Sequence, residues 1–392
     1  MLSKVSNSSL PNLKSPPKWR ALTSSGVMAF AGLGDAILYP VLPVYAEKLG
    51  IPLLWVGLLL SINRFVRIVA NTWVANAINT IGMKKVLFIS SCFAVITTFF
   101  YGLKLGLTSF IIARIIWGLS YSGLKTVTLN YAAKVKTQSG PIFGLTQSIK
   151  SMGALVALWM GPILIDYAGI EKGLFTIAGI SVMAILLTLT LPNTNYNSTS
   201  KVETKHTFAP TPINLLINIL AISIDGILVV VLANLMSSMS YNTEHLLVLV
   251  ASYLLLKRLF MVGVSFVSGF LTLKISPIKT FNLAIISCVI GLLLIAFNQM
   301  IMGIIVTFFF NTIIVTFSPL IAIQQHKKVN SLQIISSVST WWDLGAGIGA
   351  FFGLILINKI GQQYLFIMLA ILIISLFTNF IIHNAKTNRA VI

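Results

Sequence analysis

Apolar runs of about 20 residues recur along this chain, each bounded by polar or Pro/Gly breaks and each long enough to cross a bilayer as a helix. Twelve can be counted, roughly 21–46, 53–80, 85–103, 106–132, 141–166, 171–191, 212–240, 244–273, 277–297, 299–323, 331–357 and 361–383. The breaks are short except for the polar run from Pro192 to His206, which is expected to link two halves. The pattern therefore predicts a cytoplasmic tail over 1–20, a six-helix bundle over 21–191, a linker over 192–211, a second six-helix bundle over 212–383 and a tail over 384–392. The expected fold class is an all-α membrane protein with 12 transmembrane helices, its two bundles related by a pseudo-two-fold axis.

A repeat within the pattern supports the duplication. The fifth span carries small residues at every fourth position, Gly153, Ala157 and Gly161, followed by Pro162. The eleventh carries Gly345, Gly349 and Gly353, each 192 residues after its counterpart. Such ladders let helix backbones approach closely, and are read here as tight seams where related halves meet beside a polar cavity; a packing ladder with no directional meaning is the other reading. Asp225 follows Asp35 by 190 residues, and Lys257 and Arg258 follow Arg64 by 193 and 194.

Composition agrees with a membrane protein: of 392 residues 57% are hydrophobic and 9% charged, with a mean hydropathy of +0.94. A net charge of +19 raises the question of nucleic acid, but the distribution argues against it. With both termini in the cytoplasm, inner segments hold sixteen Lys and Arg, among them Lys84, Lys85, Lys134, Lys274 and Lys327, whereas outer loops hold Lys48, Lys104, Lys172 and Lys359. That is the positive-inside bias of an even number of spans, spread over short loops and forming no single patch. The polar first twenty residues and the long first span argue against a cleaved signal peptide. Cys92 and Cys288 fall inside spans, so a disulfide is not expected.

Away from the ends of the spans the bases are seven, Arg64, Arg67, Arg114, Lys125, Lys150, Lys257 and Arg258, and the acids three, Asp35, Asp225 and Asp343, an excess of four positive charges. Away from their ends the third, sixth, ninth and twelfth runs hold none, as expected if those helices face lipid and the others surround a central path. A carboxylate at mid-span costs about 2.5–3.5 kcal/mol on insertion scales and usually faces a cavity, a partner or a proton path. Pro40 and Pro43 would bend the outer half of the first span, which suits a gate. Arg64 and Arg67 share a helix face with Asn63 and Asn71 nearby. Arg114 either meets a carboxylate or snorkels to the outer surface; Lys125 could snorkel to the cytoplasmic one.

Three motifs carry a resemblance to the major facilitator superfamily. The turn after the second span holds Gly82, Lys84 and Lys85 where that family has Gly-x-x-x-Asp-Arg-x-Gly-Arg-Arg, with Ala75, Asn79 and Thr80 in place of its Gly, Asp and Arg. Arg114-Ile115-Ile116-Trp117-Gly118-Leu119-Ser120 looks like its Arg-x-x-x-Gly-x-small motif, linked in relatives to proton movement. Ala157-Leu158-Trp159-Met160-Gly161-Pro162 resembles the Gly-x-x-x-Gly-Pro core of its exporters and antiporters, with Ile165 and Asp166 where a Gly-Gly pair would follow. The resemblance implies helix 11 against helix 2, so that Asp343 meets Arg64 or Arg67. It also implies helix 5 against helix 8, so that Lys150 meets Lys257 or Arg258 with no carboxylate of its own.

Function follows as an expectation. Like charges facing a low-dielectric cavity repel unless water or an anion intervenes, so the solute is expected to be anionic or zwitterionic, held by Arg64, Arg67, Lys150, Lys257, Arg258 and Asp343. No Gly-x-x-x-x-Gly-Lys-Ser/Thr loop occurs, so an ATP motor is not expected; nor is any cofactor or metal. Protons are the expected coupling partner, with Asp35 first, Asp225 second and Arg114 tuning. The fifth-span motif and the two prolines slightly favour export over uptake of a carboxylate nutrient. A lipid-modifying membrane enzyme is the rival of another class, but its usual paired acids or His cluster are missing from the sequence. The expected setting is a bacterial inner membrane, with the chain working as a monomer and binding no nucleic acid.

Overall fold

The computed structural model describes residues 17–193, 208–237, 243–326 and 329–389. Twelve long helices run through these residues: α1 (Pro17–Tyr45), α2 (Val56–Ile81), α3 (Met83–Gly102), α4 (Gly106–Ala133), α5 (Ser139–Ala168), α6 (Ile170–Leu189), α7 (Pro212–Met236), α8 (Thr243–Leu271), α9 (Pro277–Ala296), α10 (Met300–Gln325), α11 (Ser331–Ile360) and α12 (Gln362–Arg389). Eleven are long and apolar enough to cross a membrane. The exception is α2, which spans 26 residues but carries two arginines and four asparagines. Its polarity is explained below by what it faces.

Most of the tail expected over 1–20 lies outside the described residues, and its last four residues open α1. Residues 194–207 of the expected linker also lie outside them, as do Lys327 and Lys328. Helix α12 continues to Arg389, through most of the segment expected as a C-terminal tail over 384–392.

Local chemistry sets several helix ends. Thr211 caps α7, its hydroxyl accepting from the Asn214 amide at 3.3 Å with Pro212 at the first helical position. Asn330 caps α11, accepting from the Leu332 amide at 3.1 Å. Gly82, Gly169 and Gly361 join α2 to α3, α5 to α6 and α11 to α12 with φ of 89°, 80° and 79°, a region that only glycine enters freely. Gly169 and Gly361 stand 192 residues apart, the same offset as the glycine ladders.

Helix α3 packs on α4 and α6, and α9 packs on α10 and α12. Their other faces are exposed and apolar, with Ile89, Phe93 and Ile96 on α3 and Leu283, Ile286 and Ile290 on α9 at helical spacing. This is the outward position expected of helices without charge beyond their first turn, since lipid replaces water as their solvent. The first six helices and the last six meet mainly through α5 against α8 and α2 against α11.

The glycine ladders sit elsewhere than expected. A Cβ on Gly153 would collide with the Ala29 carbonyl of α1, and one on Gly161 with Ile37; Ala157, between them, is fully buried. On α11, a Cβ on Gly345 would strike the Asn218 carbonyl and one on Gly349 the Ile222 carbonyl, while Gly353 rests on Ile227, all of α7. Each ladder therefore fuses two helices of one half. The seams between halves use other small residues, Gly144 of α5 against Gly269 of α8 and Gly140 of α5 against Thr272 just past the end of α8.

The described contacts between halves lie towards the face that carries the helix ends at 133, 139, 271 and 331, here the terminal face. Ser331 of α11 donates to Asn130 of α4 at 2.9 Å, and Gln147 of α5 faces Met261 of α8. One apolar core runs through both halves on that side, joining Val27, Leu124 and Phe143 to Ile217, Phe317 and Ile335. Towards the opposite face the first half keeps a separate core of its own, including Ile37, Leu42, Phe110 and Ile170.

Candidate functional site

Three ion pairs stand at mid-depth, each between different helices. In the first, Asp35 of α1 pairs with Arg114 of α4. The Gly32 turn divides α1 into Pro17–Ala31 and Leu33–Tyr45, which places Asp35 in the first turn of the second segment, where a helix favours a negative charge. Arg114 is fully buried and does not snorkel. Its Nε also donates to the Leu59 carbonyl at 2.8 Å, and Asn63 of α2 donates to Asp35 Oδ1 at 3.4 Å. A buried guanidinium needs this many acceptors to offset its desolvation.

The second pair repeats the first in the other half with its parts exchanged. Asp225 of α7 accepts from Lys257 Nζ of α8 at 2.6 Å, from Asn311 Nδ2 of α10 at 3.3 Å and from Trp342 Nε1 of α11 at 2.9 Å. Asp35 and Asp225 are counterparts, as are α2 with α8 and α4 with α10. In the first half the cation comes from the fourth helix and the asparagine from the second; in the second half the cation comes from the second helix and the asparagine from the fourth. Asp225 lies in a π-helical stretch, Ala221–Leu228, where Gly226 meets Gly349 backbone to backbone. Such widened turns recur at functional sites because they re-aim side chains.

The third pair crosses between halves. Arg67 of α2 grips Asp343 of α11 with two bonds, Nη2 to Oδ1 at 2.7 Å and Nε to Oδ2 at 3.2 Å, and lies 4.6 Å over the Tyr121 ring. Asn71 donates to Thr340 at 3.3 Å and accepts from Ser122 of α4. The polar face of α2 is thus spent on Asp35, Asp343 and Thr340, which is why a helix too polar for lipid holds its place here.

The sequence left Asp343 a choice of two arginines, and the structure brings it to Arg67. It also corrects two expectations: Lys257 is committed to Asp225 and does not stand as a free cation against Lys150, and Lys125 turns inward, within electrostatic reach of Asp343, Arg67 and Asp225. Arg64, Lys125, Lys150 and Arg258 are half-buried without an ion pair among the described residues. Trp342 and Asn71 were missed as partners; both flank or face a charged residue one helical step away, the signal that could have found them.

The remaining expected residues lie at the edges. Pro40 and Pro43 stand in the last turns of α1, and Pro162 is exposed within α5. At the Gly82 turn, Lys84 Nζ donates to the Leu189 carbonyl at 3.0 Å and Lys85 is exposed. A cleft of about 450 Å3 near Tyr45, Lys48, Asp166 and Lys172 touches none of the three mid-depth ion pairs.

Two sets of six helices, ion-paired at mid-depth and joined along two seams, define a multi-pass helical membrane transporter. The family model described as "Major Facilitator Superfamily" matches residues 25–328, and the chain belongs to that family, whose members are transporters and not enzymes. Over 199 residues it is 27% identical to multidrug resistance protein MdtG of Salmonella arizonae, and over 203 residues 28% identical to MdtG of Salmonella choleraesuis. The match takes in 49% of this chain and 49% of each relative, so the chain spans about half the length of these curated relatives. Among solved structures it is similar to the human organic anion transporter MFSD10 (TETRAN), with a TM-score of 0.76 at 13% identity over 93% of this chain and 99% of that one. The fucose:proton symporter FucP of E. coli in its outward conformation gives 0.72 at 13% identity over 92% and 97%. At such identities the likeness is one of fold.

Proposed function

We propose that the protein is a proton-coupled secondary carrier that moves a small anionic or zwitterionic organic solute by alternating access, outward more readily than inward. One observation carries this reading: three mid-depth carboxylates are each tied to a cation, and four further cations are left over. An anionic solute would complete that balance. Asp35 is the proton carrier, because its side chain keeps 17% exposure while Arg114 beside it keeps none. Protonating Asp35 releases Arg114 from its counter-ion and couples the site to the rocking of the halves. Asp225, with Lys257 and Trp342, is the matching group of the second half.

The seam on the terminal face fits a state open on the opposite face. With the termini in the cytoplasm of a bacterial inner membrane, as the positive-inside bias indicates, that state is outward-facing. The helix 5 motif and the likeness to MdtG, a protein named for multidrug resistance, favour export over uptake. The working unit is one chain divided at the 192–211 linker.

The test is counterflow in proteoliposomes under an imposed pH gradient, with solutes drawn from a thermal-shift screen of organic acids and drugs. A carrier exchanges labelled for unlabelled solute and responds to the gradient. A solute that binds without exchange, or an exchange indifferent to the gradient in every case, would refute proton-coupled transport.

A further inference from the structure

We infer that Lys125 of α4 and Lys150 of α5 form a two-lysine seat for a small dicarboxylate, one lysine to each carboxylate. The inference rests on the carrier reading above and narrows its solute from an anion to a dianion. The two helices are neighbours, and by helix rise the residues stand about 12 Å and about 17 Å from the terminal-face ends of α4 and α5. They therefore sit at related depths, and Lys150 is about level with Asp343, which stands about 18 Å from the Ser331 end of α11. Lys125 lies within electrostatic reach of Lys150, and in turn within reach of Asp343, Arg67 and Asp225.

Neither ammonium has a protein acceptor among the described residues, although each has three N–H groups to place. The nearest acid cannot serve them. Both oxygens of Asp343 are held by Arg67, and Oδ2 also lies 3.5 Å from Asn71 Nδ2. Arg67 balances Asp343 and Lys257 balances Asp225, so Lys125 and Lys150 leave two positive charges, which a dianion cancels and a monoanion does not. Both lysines keep part of their surface exposed, so a solute can reach them. Lys257 is a different case, since Asp225 already occupies it at 2.6 Å.

The experiment measures binding of succinate and of butyrate, which has the same chain length and one carboxylate, to the purified full chain by calorimetry at constant chloride. Succinate is expected to bind at least about tenfold more tightly, the yield of one added charge-assisted hydrogen bond. Lys125→Gln and Lys150→Gln are each expected to bring succinate down to the butyrate value. Lys125→Arg, Lys150→Arg and the surface variant Lys172→Gln are expected to stay within about threefold of the parent. Wild-type protein that binds succinate no better than butyrate, or Lys→Gln variants that bind it as the parent does, would overturn the inference. Succinate counterflow separates the two readings: lysine-dependent binding without exchange keeps the seat and defeats the carrier, while exchange indifferent to both lysines keeps the carrier and defeats the seat.

Discussion

Replacing Asp343 by asparagine tests how the two halves are held shut. Asp343 is 4% exposed and Arg67 11%, and the pair joins α2 of one half to α11 of the other. Because it crosses the seam, it must part when the terminal face opens. The open state gains water around both groups and does not depend on the pair. Removing one partner of a buried pair costs about 3–5 kcal/mol. The retained Arg67–Tyr121 contact and the hydrogen-bonding asparagine place the expected effect at the lower end, about 3 kcal/mol, or roughly a hundredfold in the ratio of the two states. Spin labels on cysteines introduced at Lys136 and Lys274, in a background without Cys92 and Cys288, report the opening between α5 and α8. The parent should give mainly the short distance, and Asp343→Asn should move most of the population to a longer one. The exchanged pair, Arg67→Asp with Asp343→Arg, should restore the short distance. An Asp343→Asn distribution that overlays the parent, in folded and monodisperse protein, would refute the latch.

Other substitutions probe other links. Asp35→Asn should abolish accumulation driven by a pH gradient while counterflow persists, and gradient-driven transport at parental levels would remove Asp35 as carrier. Lys257→Asn alone should lose transport by at least about tenfold, whereas Lys257→Asn with Asn311→Lys should recover it, since the first half already works with its cation on the fourth helix; initial rates in the same vesicles decide this. Gly153→Leu should lower thermal stability by about 1–3 kcal/mol because its Cβ meets the α1 backbone. Gly179→Ala, whose Cβ would meet nothing within 4 Å, should be neutral or stabilising by up to about 1 kcal/mol in the same melting assay.

Much of the architecture was legible because lipid forces it. A chain that must satisfy its backbone inside a bilayer announces each helix as an apolar run, and the runs fell within a few residues of α1 to α12 except at the end of α12, which runs six residues further. The absence of charge from the interiors of the third, sixth, ninth and twelfth runs marked the outer helices for the same reason. What did not read through was pairing. Periodicity placed Arg64 and Arg67 on one face of α2 but could not say which would reach Asp343, a choice set by the register between α2 and α11. The ladders misled on location: small residues say that a backbone comes close, not whose, and the backbone belongs to α1 or α7 of the same half. Lys257 was assigned to a cluster of cations because its bond to Asp225 depends on how α7 turns within its π-helical stretch.

The exchanged roles of Asn63 with Arg114 and Lys257 with Asn311 bear on how the duplicated halves have drifted apart. Aligned position by position, the halves disagree at these sites, and their likeness there goes unseen. Taken as three-body units, they agree: one acid, one cation, one amide. The quantity preserved through divergence is then the local charge and donor count around an aspartate, not the address of any one side chain, and a lost cation at one address can be made good by a gain across the bundle.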